Sequence, residues 1–438
     1  VVGAATVAQL NTLDGRTTVA VDLAGLTSIE GSRADIEAFY TNAGFVGRGD
    51  EALVVTDASI TAAEANAVAL LTTGAVTATL SSTAAGDLQG LAVAGNNFSY
   101  SISDADASVA GLPPAVLAGA ANIVVTGVVT PAQATTILGA QNAGTTTIAE
   151  VMGTAAQILA LPIGVNHAIT TVTVTGVATV QQALDLVTLD GPSSVGTVTI
   201  AAVSDTAQAL AEATNPALDL VTGTVTATTA ATAAQATMLA GFAKSVAYNI
   251  IDTASNLLAS IGGLAEAGTV TATTSELNAG QAFSLEAKVT AGTVDSATYT
   301  VRDTLTNLTN MAAPLPNASL VTVTDALTVA QVGTVDTLLA VSVGAGTLVY
   351  GVSDTTANIA DAMGSAGTLA ILRGASSVVG TPATLTTAQA VNIGTLLTDA
   401  AIDDVTLAYS ISGTASDVAA LSGVVLGGAT GLVTTGVA

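Results

Sequence analysis

The sequence predicts an α/β repeat solenoid of about 50-residue repeats, each running strand, helix, strand, helix, with parallel strands. Three observations point there. A strand-to-helix junction recurs at Gly31, Ser82, Gly153, Asp205, Asp252, Asp303, Asp354 and Gly413, with spacings of 47 to 59 residues apart from one of 71. A second junction, marked by Gln9, Glu64, Gln133, Gln182, Gln235, Gln281, Gln331 and Gln389, alternates with the first. The chain is 50% hydrophobic yet only 3% aromatic, which suits many thin, similar layers better than one bulky core.

The elements follow from local chemistry. β-Branched runs such as "TVTVTG" and "TVTATT" alternate with period two and predict strands. "IIDTASNLLAS", "VRDTLTNLTN" and "GVSDTTANIAD" then place Asp252, Asp303 and Asp354 where a helix begins. A carboxylate there accepts first-turn N–H groups and complements the helix dipole. Asp104 and Asp205 stand at equivalent points, so all five are expected to be helix caps. Apolar residues follow at helical spacing: Ala254, Leu257, Leu258 and Ile261 in one copy, Leu305, Leu308 and Met311 in another. Strand and helix alternating through short links implies right-handed parallel crossovers. An all-β parallel β-helix is the alternative, because runs of Ala, Val and Thr blur the two periods.

Residues 1–50 read as a divergent, more charged N-terminal repeat or cap region, since Arg16, Arg33 and Arg48 are three of only seven basic residues. Residues 51–438 read as a continuous array, in which the spacing of 71 contains an additional half-repeat near 83–104 ending at Asp104. The chain lacks an initiating Met and a signal-peptide pattern, so it is expected to be a processed product or a piece of something longer. Setting Gly3 and Gly436 on Gly127 starts the chain at a strand of one Gln-type unit and stops it after the strand of another. Open layers at both ends predict head-to-tail association with further copies into a filament or lattice.

A formal net charge of −25 removes the electrostatic basis for nucleic-acid binding. Every apolar stretch is broken before ~18 residues, so no membrane span is expected. With no Cys there is neither a disulfide framework nor a thiolate site. His167 is the single histidine and has no neighbour in sequence with which to form a zinc site or catalytic triad. No catalytic residue, cofactor site or metal ligand is assigned. A ladder of carboxylates raises Ca²⁺ as a ligand, but one Asp per layer falls short of the ~6 to 8 oxygens that calcium takes. The fold is therefore expected to persist in chelator. "LSGVVLGGATG" lacks the Lys of a phosphate loop. Sequons at Asn97, Asn307 and Asn317 permit glycosylation in a suitable secretory system.

The quoted repeats, strand, "SDTAxNL"-type junction, short helix, then "VTxAQA", resemble those of large repetitive bacterial, cyanobacterial-type, extracellular and cell-surface proteins. These include surface-layer-like, motility-associated and haemolysin-type adhesin chains. The resemblance covers nearly everything after residue 50 and implies an exported structural or adhesive chain. The "GGxGxDxUx" calcium repeats that accompany such chains are missing. The expected function is that of a structural protein of an extracellular surface layer, filament or adhesin, self-associating end to end, without catalysis and with cell-surface glycans as candidate partners. The alternatives are a viral fibre or capsid-associated repeat protein, an ice- or glycan-binding module, and a polysaccharide-active enzyme on a solenoid. The binding module would use Thr ladders such as Thr171, Thr173, Thr175 and Thr222, Thr224, Thr226, Thr228.

Overall fold

The computed structural model describes residues 1–189, 194–213, 215–260, 263–311, 314–331, 333–334, 346–402 and 404–436. Strands and helices alternate along them, and every strand pair whose register is described is parallel. The helices exclude the all-β alternative. Residue contacts divide the chain into two compact units, Val1–Asp205 with Glu212–Thr226 and Ala243–Ser245, and Thr206–Ala211 with Ala227–Phe242 and Val246–Ala438.

In the first unit, strands Val2–Thr6, Gly25–Gly31, Ala52–Val55, Val76–Thr79 and Asn97–Ser99 form one sheet in chain order. Strands on either side of residue 50 belong to that sheet, since Ser28 to Gly31 pair with Ala52 to Val55. One of the basic residues of this region meets a helix end. The Arg48 guanidinium donates to the carbonyls of Phe39, Tyr40 and Asn42 at the C-terminal end of helix Arg33–Thr41. A second run of strands, Ile102–Asp104, Ile123–Val129, Thr146–Gly153, His167–Ala178 and Val195–Asp205, also pairs in chain order.

Pleating sorts these residues by face. Ile123 and Val125 point into the core while Val124 is exposed, and Val172 and Val174 are buried while Thr171 and Thr173 are half-buried. Strand His167–Ala178 reaches twelve residues because it contains a bulge. Its pairing with Val195–Asp205 shifts between Val174 and Val177, where Gly176 takes φ +77°.

The second unit repeats the scheme. Ile250–Thr253 pairs with Val270–Thr273, and Tyr299–Asp303 with Ala318–Val323. Gly351–Thr355, Ser377–Thr386, Val405–Gly413 and Gly431–Thr434 follow one another across a further sheet.

Helices lie close over the sheets because their inner residues are small. Ala233, Ala236 and Leu239 are buried in one, Ala279, Ala282 and Leu285 in another, and Ala62, Ala65 and Val68 in a third. Spacing by three keeps each set on one stripe. Five of the eleven aromatic residues are buried tyrosines at one place in the repeat: Tyr100, Tyr248, Tyr299, Tyr350 and Tyr409 each lie four residues before a junction residue. Three of them donate to main-chain carbonyls, Tyr100 to Val116, Tyr248 to Gly263 and Tyr409 to Val425, at 2.7 to 2.8 Å. Each phenol thereby satisfies a backbone acceptor that the core would otherwise leave bare.

The structure corrects the position of the caps. The N-caps after the Asp-type junctions are Thr253, Thr304 and Thr355, whose hydroxyls accept from the N–H of Asn256, Asn307 and Asn358. Helix Asp106–Ala110 follows Ala105 and has no side-chain cap at all, so Asp104 does not start it. The reason is geometric: an N-cap oxygen must sit one residue before the first helical residue to meet the N2 or N3 amide. Asp252, Asp303 and Asp354 stand one position too early. Ala254, Leu257, Leu305 and Leu308 are buried as the helical spacing requires, while Leu258 and Met311 are half-buried and Ile261 lies outside the described residues.

Candidate functional site

The chemistry-bearing residues that recur in this chain meet at the seams between successive layers. At each seam of one class, an Asp carboxylate accepts the first helical N–H of the preceding layer. Asp104 takes Ala85 N–H at 2.9 Å, Asp205 takes Val180 at 3.0 Å and Asp252 takes Ala233 at 2.9 Å. Asp303 takes Ala279 at 3.0 Å, and Asp354 takes Val329 at 3.0 Å. The five predicted residues are thus bound to the helix start of another layer, 19 to 25 residues earlier in the chain. Asp57 and Asp325 do the same for Arg33 and Leu305 and carried no junction mark in the sequence reading.

The other carboxylate oxygen works locally. Asp252 Oδ1 accepts from Thr253 N–H and from the Asn256 amide, both at 2.7 Å, and Asp303 and Asp354 repeat this with Asn307 and Asn358. Burial pushes these three carboxyls upward. For Asp252 the donors Ala233, Asn256 and Thr253 outweigh it and hold the group below the ordinary aspartate value. Asp303 and Asp354 are lowered in the same way by their own three donors. Asp104 and Asp205 have Ser108 and Ala209 in place of that Asn.

Where the junction residue is Gly, the first helical residue opposite stands in the space that a Cβ would need. A Cβ on Gly153 would overlap Pro131 Cγ and stand 2.9 Å from its Cδ, and one on Gly31 would come within 2.8 Å of Val7 Cγ2. Pro131 is the first residue of its helix and has no N–H to cap. An Asp opposite it would find neither room nor a donor.

The Gln markers are capping-box residues. Thr130 N–H donates to Gln133 Oε1 at 2.8 Å while Gln133 N–H donates to Thr130 Oγ1. The same reciprocal pair occurs at Thr6/Gln9, Thr61/Glu64, Thr179/Gln182, Thr232/Gln235, Asn278/Gln281 and Thr386/Gln389. Sequence reasoning placed these residues in register and missed the role, although Thr-x-x-Gln before an apolar run is its local signature. It also missed two buried carboxylates. Glu51 accepts from the Tyr40 hydroxyl and from the N–H groups of Gly49 and Asp50. Glu286, 6% exposed, accepts from the Tyr299 hydroxyl and from Asn317 N and Nδ2. Burial first, and then the carboxylate beside it, pushes each of these two phenols well above the usual tyrosine range.

The remaining predicted residues lie apart. Asn97 is exposed on a strand, Asn307 is exposed on helix Leu305–Thr309 with its amide on Asp303, and Asn317 is half-buried with its amide on Glu286. A glycan on Asn317 would need that bond to open. His167 begins a strand, with Nδ1 turned back to its own turn. In the Thr ladder, Thr173 donates to Glu150 at 2.6 Å and Thr222 to the Ile200 carbonyl at 3.2 Å, so these hydroxyls are engaged within the sheet. Two open grooves repeat at equivalent places in the second unit. One of about 810 Å³ is lined by Thr232, Met238, Asp252 and Asn256, and one of about 610 Å³ by Asn278, Phe283, Asp303 and Asn307. Among the described residues no three His, Cys, Asp or Glu gather as metal ligands, and no helix is long and apolar enough to cross a membrane.

No family model matches this chain, and no curated protein does. Among solved structures it is similar to the LRR ectodomain of the plant membrane receptor kinase GASSHO1/SCHENGEN3 from Arabidopsis thaliana in complex with CASPARIAN STRIP INTEGRITY FACTOR 2. The identity is 10%, 91% of this chain is covered, and the TM-score of 0.13 carries no argument about fold or function. The chain spans 44% of that ectodomain.

Proposed function

We propose that this chain is a structural repeat protein of an extracellular surface layer, filament or adhesin, in which layers stack as an α/β solenoid and no reaction is catalysed. The observation that carries this reading is the seam. At one layer after another the recurring carboxylate is spent on the helix start of its neighbour, as at Asp252 on Ala233 and Asp303 on Ala279. A residue used this way supports the preceding layer. The resemblance of "IIDTASNLLAS" and its copies to repeats of exported bacterial surface proteins supports the same reading.

End-to-end association belongs to it. Strand Gly431–Thr434 pairs through one edge with Ser410 to Gly413, and Leu432 and Val433 are exposed. The opposite edge of that strand would accept a further parallel strand from a second copy. Electron microscopy of native material tests this: elongated, end-joined particles are expected, and compact particles that stay monodisperse at high concentration would refute the assembly. Fractionation of the source cells tests the location, with the protein expected outside the membrane.

A further inference from the structure

The helices of the second unit leave a continuous track between them. Helices Ala233–Leu239, Ala254–Ala259, Ala279–Thr290 and Leu305–Thr309 follow one another as packed neighbours. The grooves between them hold about 810, 460 and 610 Å³, and a fourth of about 410 Å³ lies beside Pro314 and Pro316. Each runs into the next through shared walls. Ala259 lines the first two, Asn278 and Gly280 the second and third, and Phe283 the third and fourth.

The walls are uncharged in effect and mixed in chemistry. Among the described residues Phe283 is the one aromatic side chain that stands exposed, at 40%. Asn278 Oδ1 accepts from Gln281 N–H, while the Asn278 NH₂ group and the whole Asn310 amide have no hydrogen-bond partner among the described residues. The wall carboxylates Asp252, Asp303 and Glu286 are filled by the donors described above. No described Lys or Arg lines the track.

We propose that this track binds a neutral, linear polysaccharide. The apolar face of a sugar ring stacks on Phe283, and its hydroxyls, which both donate and accept, pair with the amides of Asn278 and Asn310. An anionic polymer would meet no cation there, in a chain of net charge −25. An extended peptide held through its main chain needs a sheet edge, and these walls are helices whose backbone groups are already bonded. The inference rests on the adhesin reading proposed above for its partner, and the stacked layers stand without it.

Calorimetric titration of the full chain with cellohexaose, xylohexaose, mannohexaose and maltohexaose provides the test, with at least one expected to bind with a Kd tighter than about 1 mM. Phe283→Ala should weaken that binding on the order of tenfold and Phe283→Trp should retain it. Asn310→Ala should weaken it several-fold, and thermal unfolding should stay unchanged in all three because both side chains are exposed. Binding of none of the four sugars, equal binding by Phe283→Ala, or tighter binding of polygalacturonate or of decaproline would overturn the proposal. Electron microscopy separates it from the structural reading. Phe283→Ala should join end to end as the unaltered chain does, and loss of joining in that variant would assign the track to assembly instead.

Discussion

The seam at Gly153 and the seam at Asp303 join a helix start to the next layer in opposite ways. At the first, Pro131 has no N–H and its ring occupies the space that a side chain on residue 153 would need. At the second, Ala279 is small and has an N–H, and the Asp303 carboxylate fills the space and accepts it. The pair of residues across the seam must therefore agree in both volume and hydrogen bonding. This explains why residue 153 is Gly opposite Pro131; bulk alone does not sort the other seams, since Val7 faces Gly31 while Val180 and Val329 face Asp205 and Asp354.

Exchange between the two seams should give the largest effect. Gly153→Asp places side-chain atoms against the Pro131 ring and is expected to destabilise by about 2 to 3 kcal/mol, at the upper end of overpacking costs. Adding Pro131→Ala, which supplies room and an N–H, should recover most of the loss. A double-mutant cycle by thermal unfolding checks this, and additive losses would break the comparison. Next comes Asp303→Ala, which strands the Ala279 amide and should cost about 1 to 2 kcal/mol, with Asp303→Asn milder because one acceptor oxygen remains. Equal losses for Ala and Asn in a calorimetric scan would argue against the carboxylate as an inter-layer acceptor.

The two kinds of seam should also differ toward acid. Asp252, Asp303 and Asp354 have folded values below the unfolded one, so their stabilisation is present above the unfolded aspartate value and is lost as pH falls through the folded values. Below about pH 4 their amides should exchange faster, while those around Gly153 and Pro131 are held by shape and should lag. Hydrogen exchange resolved by peptide would show it. Toward alkali the sign reverses. Burial pushes the Tyr100 phenol up to about 12, so its contribution is intact below the unfolded tyrosine value near 10 and lost as pH rises through about 12. The smallest expected effect is that of EDTA. Because N–H groups and the Asn amides occupy the seam carboxylates, circular dichroism should not change on chelation, and a collapse reversed by Ca²⁺ would assign those oxygens to metal.

Much of this architecture was legible in the chain. β-Branched alternation marked the strands, and the two junction series gave the period, because both signals lie within a few residues of the backbone that they shape. Thr253 and Gln133 were legible in principle too, since a cap and its amide are three positions apart. The sequence reading passed over them because Asp252, one residue earlier, is the stronger capping residue type.

By itself, then, the sequence determined that strands and helices alternate along the chain, for this depends on local sterics and on periods of two and 3.6 residues. The partner of each junction residue was decided only in the tertiary structure. Asp303 meets Ala279 across 24 residues of chain, and that meeting depends on strand register and on how closely small side chains let the helix approach. Glu286 shows the same limit. As a letter in a helix it reads as surface charge, and only the packing of Tyr299 and Asn317 around it supplies the donors that keep a carboxylate buried.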